Sequence, residues 1–587
     1  LLRLEVAALE PGLGGGLPAQ LRPGRGGDLP SHRFGPGDVA ALRAERDGPV
    51  LCDVVVVRAR REHLVVALDD DDVDLPGTVR LDRKATDVTF RRLDAALGDL
   101  LRDRKGDASR LVDTLLGDRP AALAPAPAAD PRWFDPLLDE SQRAAVALAL
   151  RGDPIALIHG PPGTGKTTAV VELIRQAVAR GERVLACAPS NVAVDNLAER
   201  LVQASLRVVR LGHPARVQAA VRDVSLAEQV LQAPEQKLLR DVRREIDQGL
   251  RLVHRAKGRA ERAAARDAVR GLRRELRQLE SAITTGLVDG AEVVLATTTG
   301  AAEALLSERT FDLAVVDEAA QALEAACWIP LLRARRAVLA GDHRQLPPTI
   351  QSAAAAAAGL SRTLFERLTE APDAATFTRM LTRQYRMHER VMAWSAARFY
   401  DGRLEAAPSV AAHLLTDLPD VAANEWTTEP LCFVDTAGCG HEESQGDDDG
   451  SKSNAGEAAL VVHVTTALLD AGVPATAIAL LSPYNAQVQL LRERLGGIED
   501  LEIGTVDGLQ GREKEAVIVS LVRSNDDGAV GFLAELRRLN VALTRARRHL
   551  TIVGDSATLA HDRDLCELVE HLQQHACYRS AFELGAE

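Results

Sequence analysis

IALIHGPPGTGKTTAVVELIRQAVARG, residues 155–181, decides the fold of this 587-residue chain. A short apolar run at 155–158 reads as a buried strand, and the helical pattern after it stops at Gly181. Between them GPPGTGKT at 160–167 satisfies GxxxxGK[ST]. Gly160, Pro161, Pro162, Gly163, Thr164, Gly165, Lys166, Thr167 and Thr168 form a candidate phosphate loop. Gly163 and Gly165 let backbone N–H groups converge on phosphate oxygens, and the helix N-terminus adds its dipole. Lys166 can reach the β- and γ-phosphates of ATP, and the Thr167 hydroxyl can ligate Mg²⁺.

Such a loop needs a carboxylate at a neighbouring strand end. FDLAVVDEAAQ, 311–321, supplies Asp317 after four apolar residues, with Glu318 next. Asp317 is placed to hold Mg²⁺ through water, and Glu318 to orient and deprotonate an attacking water. The bland alternative is an acidic strand end that caps a helix. Paired with the phosphate loop, the motif argues for NTP hydrolysis.

Outward from this pair, strand and helix patterns alternate, which indicates parallel sheets covered on both faces. RVLACAPS, EVVLATTTG and AVLAGDHRQ continue the first series. LCFVDT, AIALLSPY, LEIGTVDG, EAVIVSLV and HLTIVGD form a second from about residue 430. A helical stretch at about 222–286 interrupts the first series; within 237–280 it carries 14 Lys and Arg against 7 Asp and Glu. It reads as a solvated helical hairpin or as a basic arm that touches a polyanion. Upstream, CDVVVVRARR, EHLVVALDD and GTVRLDRK are spaced like strands of a small barrel, 91–117 reads as helix, and AALAPAPAADP is a linker. HEESQGDDDG at 441–450 reads as a surface loop, and Asn454 with Glu457 as a helix cap with its reciprocal partner.

Composition bounds the partners. Acidic residues outnumber Lys and Arg 84 to 71, a net charge of −13, which counts against a nucleic acid unless the charge is unevenly distributed. Only seven of the 71 cations are lysine, so Lys166 stands out as a residue that chemistry requires. Seven cysteines without CxxC pairs fit buried thiols in a reducing cytoplasm; Cys432, Cys439 and His441 form a weak metal pattern. No apolar run approaches the roughly 18 residues of a membrane span, and the N-terminus does not read as a signal peptide. The chain starts at Leu1, so an upstream extension of the natural protein is open.

The ordered motifs resemble those of superfamily 1 helicases, more narrowly the 1B branch that includes the nonsense-mediated-decay and immunoglobulin mu-binding helicases. The likeness runs through DESQRAAV, GPPGTGKTT, APSNVAVD, VVDEAAQ, GDHRQLPPTI, GLSRTLFERL, RQYRMH, LLSPYNAQV, GTVDGLQGREKEAVIVS and LNVALTRARRHL, between residues 139 and 555. It implies that Gln142 reads the adenine edge, Tyr385 stacks on the base and Glu513 holds the ribose. Gln345 would sense the γ-phosphate, Arg386 and Arg545 would act as arginine fingers, and Gly511 would permit close backbone approach. Taken alone, either arginine is more often an ion-pair residue. Pro189, Ser190, Asn191, Thr297 and Thr299 on the first half, and Pro483, Tyr484, Thr505 and Asp507 on the second, would contact a strand. Such small polar groups do not read bases, so single-stranded DNA or RNA is expected without sequence preference.

The expected fold is α/β: two RecA-like parallel-sheet P-loop domains with an N-terminal small β-barrel and a helical insertion. The division is a flexible lead-in at 1–30, barrel plus stalk helix at 31–125, first domain at 126–370 and second at 371–587. The expected activity is ATP-dependent translocation and unwinding, 5′ to 3′ by resemblance. The alternative is a nucleic-acid-stimulated ATPase that remodels nucleoprotein complexes without unwinding. A cytoplasmic monomer is expected, with protein partners left open.

Overall fold

The apolar runs that lead to the phosphate loop and to Asp317 become strands of one sheet in the computed structural model of the chain, not directly paired as expected but with Ala334–Gly341 between them. The structure describes residues 4–9, 17–24, 27, 29–30, 32, 34–35, 38–44, 48–60, 62–68, 75–83, 87–102, 109–125, 131–256, 258–445, 451–509 and 512–585. In order across the first sheet lie Val208–Arg210, Val293–Thr297, Val184–Ala188, Phe311–Val316, Ala334–Gly341, Ile155–His159 and Thr378–Met380. Every pairing is parallel. Both faces are covered, which is why these strands are apolar throughout instead of alternating.

The second sheet, also all parallel, runs Glu502–Thr505, Ile478–Ser482, Lys514–Ser520, Ala546–Gly554, Leu431–Asp435 and Cys577–Ser580. Parallel strands bring all their carboxyl ends to one edge, where ligand sites of open α/β sheets gather. The motif residues follow those ends directly: Gly160 after His159, Asp317 after Val316, Asp342 after Gly341, and Pro483 after Ser482.

Four expectations need correction. Residues 1–30 are not simply a lead-in, because Leu4–Leu9 and Leu17–Pro23 are strands of the closed six-stranded antiparallel barrel, and Leu4, Ala19 and Leu21 are buried in its core. Their Gly/Pro-rich connection hid the alternation. The first half does not end at 370, since Thr378–Met380 pairs with Ile155–His159. The stalk helix expected at 91–117 starts earlier: among the described residues the stalk holds helices Asp87–Arg102 and Ser109–Leu115, whose Leu93, Ala96, Leu111 and Leu115 join the first half's core. Finally, Asn454 Oδ1 accepts from Glu457 N at 2.9 Å, but Asn454 N donates to Gln487 Oε1 instead of Glu457. The Glu457 side chain is buried and accepts from Ser520 Oγ and from the N–H of Val522, which has φ 72°.

Among the described residues the insertion holds a short helix, Leu226–Gln232, and then a helical arm, Gln236–Arg255 against Arg259–Gly290, with a small core of its own around Val242, Ile246 and Val269. Arg243 pairs with Glu280 at 2.7 Å, while Arg251, Arg266, Arg274 and Arg277 are exposed, as a solvated hairpin requires. Cys432, Cys439 and His441 do not bring ligand atoms together among the described residues, and Cys432 instead lies beside Cys577 on the adjacent strand.

Candidate nucleotide site and strand-end row

The phosphate loop is shaped by left-handed glycines. Gly163 has φ 75° and Gly165 φ 70°. A Cβ on Gly165 would lie 2.6 Å from Gln142 Nε2, and one on Gly163 would lie 2.7 Å from Arg386 Cβ. Any side chain there would clash, so only glycine lets the adjoining segments approach this closely. Thr164 closes the turn by donating its hydroxyl to Pro161 O at 2.7 Å, and Pro161 and Pro162 are buried beneath it. Thr168 Oγ1 accepts from Arg200 at 3.1 Å and so braces the helix that begins at Lys166.

Lys166 donates to Asp317 Oδ1, and to Glu318 Oε1 at 2.7 Å. Burial would lower its pKa, but the two carboxylates raise it above the ordinary value, so the ammonium is permanently charged. Thr167 Oγ1 lies 3.5 Å from Asp317 Oδ2. A hydroxyl and a buried carboxylate are hard oxygen donors suited to Mg²⁺, which fits this pair as its protein ligands. Glu318 has φ 53°, a strained conformation for a residue with a side chain, and Gln321 Nε2 donates to its Oε2 at 2.7 Å. The strain aims the carboxylate back towards Lys166.

The second half meets this loop directly. Tyr385 N donates to Gly163 O at 2.8 Å, and Arg386 follows it. Arg386 is held by Glu513 and donates to Thr544 O at 3.1 Å. Arg545 is buried and donates to Val541 O, Arg512 O and, at 3.3 Å, Gln345 Oε1. Burial first, then the nearby Arg386 charge, lowers the Arg545 pKa to about 9, which still leaves the guanidinium charged at pH 7. Two arginines of one half thus face the phosphate loop and Gln345 of the other.

The remaining nucleotide candidates have partners within the chain. Both amide atoms of Gln142 are engaged: Oε1 accepts from Asp139 N and Nε2 donates to Thr164 O, each at 3.0 Å. Here the amide braces the loop. Tyr385 keeps 39% of its surface exposed, with its hydroxyl donated to Asp139 Oδ2 at 2.9 Å, so its ring stays available for stacking. Glu513 binds Arg386 and lies 3.9 Å from Arg547. Gly511 falls outside the described residues.

Along the strand ends, Pro189 and Ser190 follow Ala188, and Ser190 caps the next helix by accepting from Ala193 N. Asn191 Oδ1 accepts from Arg210 at 2.8 Å. Thr297 Oγ1 accepts from Gly300 N, and Thr299 O from Arg92 of the stalk. On the second half Thr505 Oγ1 accepts from Gly508 N, and Asp507 from Arg538 at 3.5 Å. Tyr484 is 3% exposed and turns its ring inward, 5.7 Å from Phe532. The outward-facing aromatic at this place is Phe532, 62% exposed, with the Arg538 guanidinium 5.9 Å from its ring. Sequence reading missed it; an aromatic directly after Gly531, a few residues beyond the polar run SNDD at 524–527, was the available signal.

Family models for the AAA domain match residues 137–353 and 360–557. The chain is 48% identical to the DNA-binding protein SMUBP-2 of Rattus norvegicus over 564 residues, 94% of this chain and 57% of that protein. It is 38% identical to the DNA polymerase alpha-associated DNA helicase A of Schizosaccharomyces pombe, covering 95% and 87%. A Neurospora crassa regulator of nonsense transcripts 1 homolog is 33% identical, covering 84% and 44%. The chain therefore spans little more than half the length of SMUBP-2 but most of the fission-yeast helicase. With its motifs in order on two facing parallel sheets, the chain belongs to the superfamily 1B helicases, close to SMUBP-2 and related to the regulators of nonsense transcripts.

Proposed function

We propose that this chain is an ATP-driven translocase that separates strands of nucleic acid. The observation that carries the reading is the cleft: phosphate loop, Asp317 and Glu318 on one half, Arg386 and Arg545 on the other. ATP bound at the loop draws Lys166 off its carboxylates onto the β- and γ-phosphates. Glu318 is then free to orient the attacking water and accept its proton, and the two guanidiniums meet charge on the transferring phosphoryl group. Gln345, between Asp342 and Arg545, is placed to register the γ-phosphate. Mg²⁺, held by Thr167 and Asp317, would neutralise phosphate charge. Tyr385 stacks on the base, while Gln142 and Glu513 serve adenine and ribose once released from their partners.

A single strand would run across the carboxyl edges of both sheets, against 189–191, 297–299, 483–484 and 505–507, with Phe532 stacking on a base. Closing and reopening the cleft once per ATP moves that strand. Net acidity argues for modest, strongly salt-dependent affinity. The relatives' names point to DNA, and family membership supports 5′ to 3′ travel. Action as a monomer in the cytoplasm completes the proposal; cysteines held as thiols and not as disulfides are consistent with that compartment. Among the described residues no helix is long and apolar enough to cross a membrane.

The test is the ATPase rate of the purified chain titrated with single-stranded DNA and RNA at fixed salt, then strand separation on duplexes with a 5′ or a 3′ overhang. Stimulation by strands and unwinding from the 5′ overhang support the proposal. ATP turnover indifferent to either strand would overturn it.

A further inference from the structure

Behind the phosphate loop, a buried polar chain crosses from one half to the other, and its inner members Asp342, Tyr400 and Asn540 have no direct part in the mechanism above. Its hub is Asp342, which follows the Ala334–Gly341 strand and is 3% exposed. A carboxylate has about four acceptor directions, and all four are filled. Oδ1 binds His159 Nε2 at 2.9 Å and accepts from Arg344 N at 3.0 Å; Oδ2 accepts from Gln345 Nε2 at 2.8 Å and from the Tyr400 hydroxyl at 2.8 Å. Burial would raise the Asp342 pKa, but the His159, Gln345 and Tyr400 interactions bring it down to about 2, so it remains an anion. His159, Asp342 and His343 could by position alone suggest a metal site. The saturated carboxylate makes a hydrogen-bond hub the better account.

Tyr400 belongs to the core of the second half, so its bond to Asp342 spans the two halves. The same hydroxyl accepts from Asn540 Nδ2 at 3.0 Å, and that amide also donates to Arg344 O at 2.8 Å. Asn540 lies on the Leu536–Leu543 helix, which leads directly to Arg545. Arg545 donates to Gln345 Oε1, and Gln345 returns to Asp342, which closes the ring. Asn540 Oδ1 is buried without a partner.

We infer that Tyr400 is a positioning residue: its hydroxyl, held between Asp342 and Asn540, sets where the Arg545 helix docks against Gln345 and therefore where that guanidinium meets the terminal phosphate. This rests on the reading of the cleft as an ATP hydrolysis site. Among the described residues, Arg545 is tethered to carbonyl and amide oxygens, with no carboxylate hydrogen-bonded to it to fix its place. The Tyr400 ring packs against Phe399 and His159. Tyr400→Phe keeps that packing and removes only the crossing hydroxyl.

The experiment compares the purified full chain with Tyr400→Phe, Asn540→Ala and Lys166→Ala, reading three quantities with single-stranded DNA present: ATPase kcat and KM, affinity for fluorescent ADP with and without aluminium fluoride, and unfolding temperature. The expected result for Tyr400→Phe is a kcat at least tenfold lower with KM within twofold. ADP affinity is retained, and at least tenfold of the tightening by aluminium fluoride is lost. Asn540→Ala shows the same split. Wild-type kcat and tightening in Tyr400→Phe would overturn the inference. So would equal losses for ADP and its fluoride complex with a lowered unfolding temperature, which mark a merely structural role. Wild-type chain without turnover, binding nucleotide no better than Lys166→Ala, would instead remove the hydrolysis reading and this inference with it.

Discussion

The two α/β halves share an architecture, yet they prepare their charged groups differently. On the first, Lys166 is paired with Asp317 and Glu318 across the end of the intervening Ala334–Gly341 strand, so the candidate phosphate site is assembled within a single sheet. On the second, Arg386 rests on Glu513 and on a backbone carbonyl, while Arg545 reaches across to Gln345. The first half carries a binding site; the second carries groups whose value depends on where the halves stand relative to one another. Electrostatic catalysis works best with donors fixed before the reaction, so on the proposed reading the interface between the halves is expected to govern rate more than affinity.

The sharpest way to break that contrast is at the first half. Lys166→Ala is expected to abolish ATP turnover and most nucleotide affinity, whereas Glu318→Gln keeps binding and loses hydrolysis; equilibrium binding beside phosphate release separates the two. Full turnover in either variant would break the assignment. Arg545→Ala then tests the second half. Loss of an arginine that acts only in the transition state lowers kcat by about a thousandfold with a much smaller change in KM. A change in affinity alone would give this half a binding role instead.

Smaller effects sharpen the contrast away from the cleft. Phe532→Ala is expected to weaken single-strand binding about tenfold, as loss of one stacked base implies, measured by fluorescence anisotropy at fixed salt. Tyr484→Phe, altering a ring already turned inward, should change it far less. Glu457 tests how the second half supports its loops. Burial raises its carboxyl from 4.5 to about 8, despite hydrogen bonds from Ser520 and Val522 N that favour the charged form. A carboxyl raised on folding contributes stability that is complete below pH 4.5 and is lost as pH climbs through about 8. Glu457→Gln should therefore unfold at a higher temperature than the wild type at pH 9, with the gap closing near pH 5.

Both sheets were legible because a strand buried on two faces must be apolar throughout, and a phosphate loop must sit between such a strand and a helix. The barrel's first two strands were not, because part of their sequence reads as Gly/Pro-rich connection and closure of the barrel depends on pairing with residues 64–68 and 78–79. The Glu457 side chain escaped its helix cap for a similar reason: its partners, Ser520 and Val522, come from a distant strand end.

Sequence by itself determined the chemistry of the nucleotide site, since the spacing of GPPGTGKT and the carboxylates of VVDEAAQ are local demands of binding a phosphate and a cation. Tertiary structure alone decided how the surrounding groups are arranged: that Tyr484 turns inward and Phe532 outward, that Glu513 holds Arg386, and that Tyr400 ties Asp342 to the Arg545 helix. Those contacts join residues 58 to 140 positions apart, or more locally reverse which ring is buried. Chain spacing carries no information about such pairs until the elements that carry them are packed together.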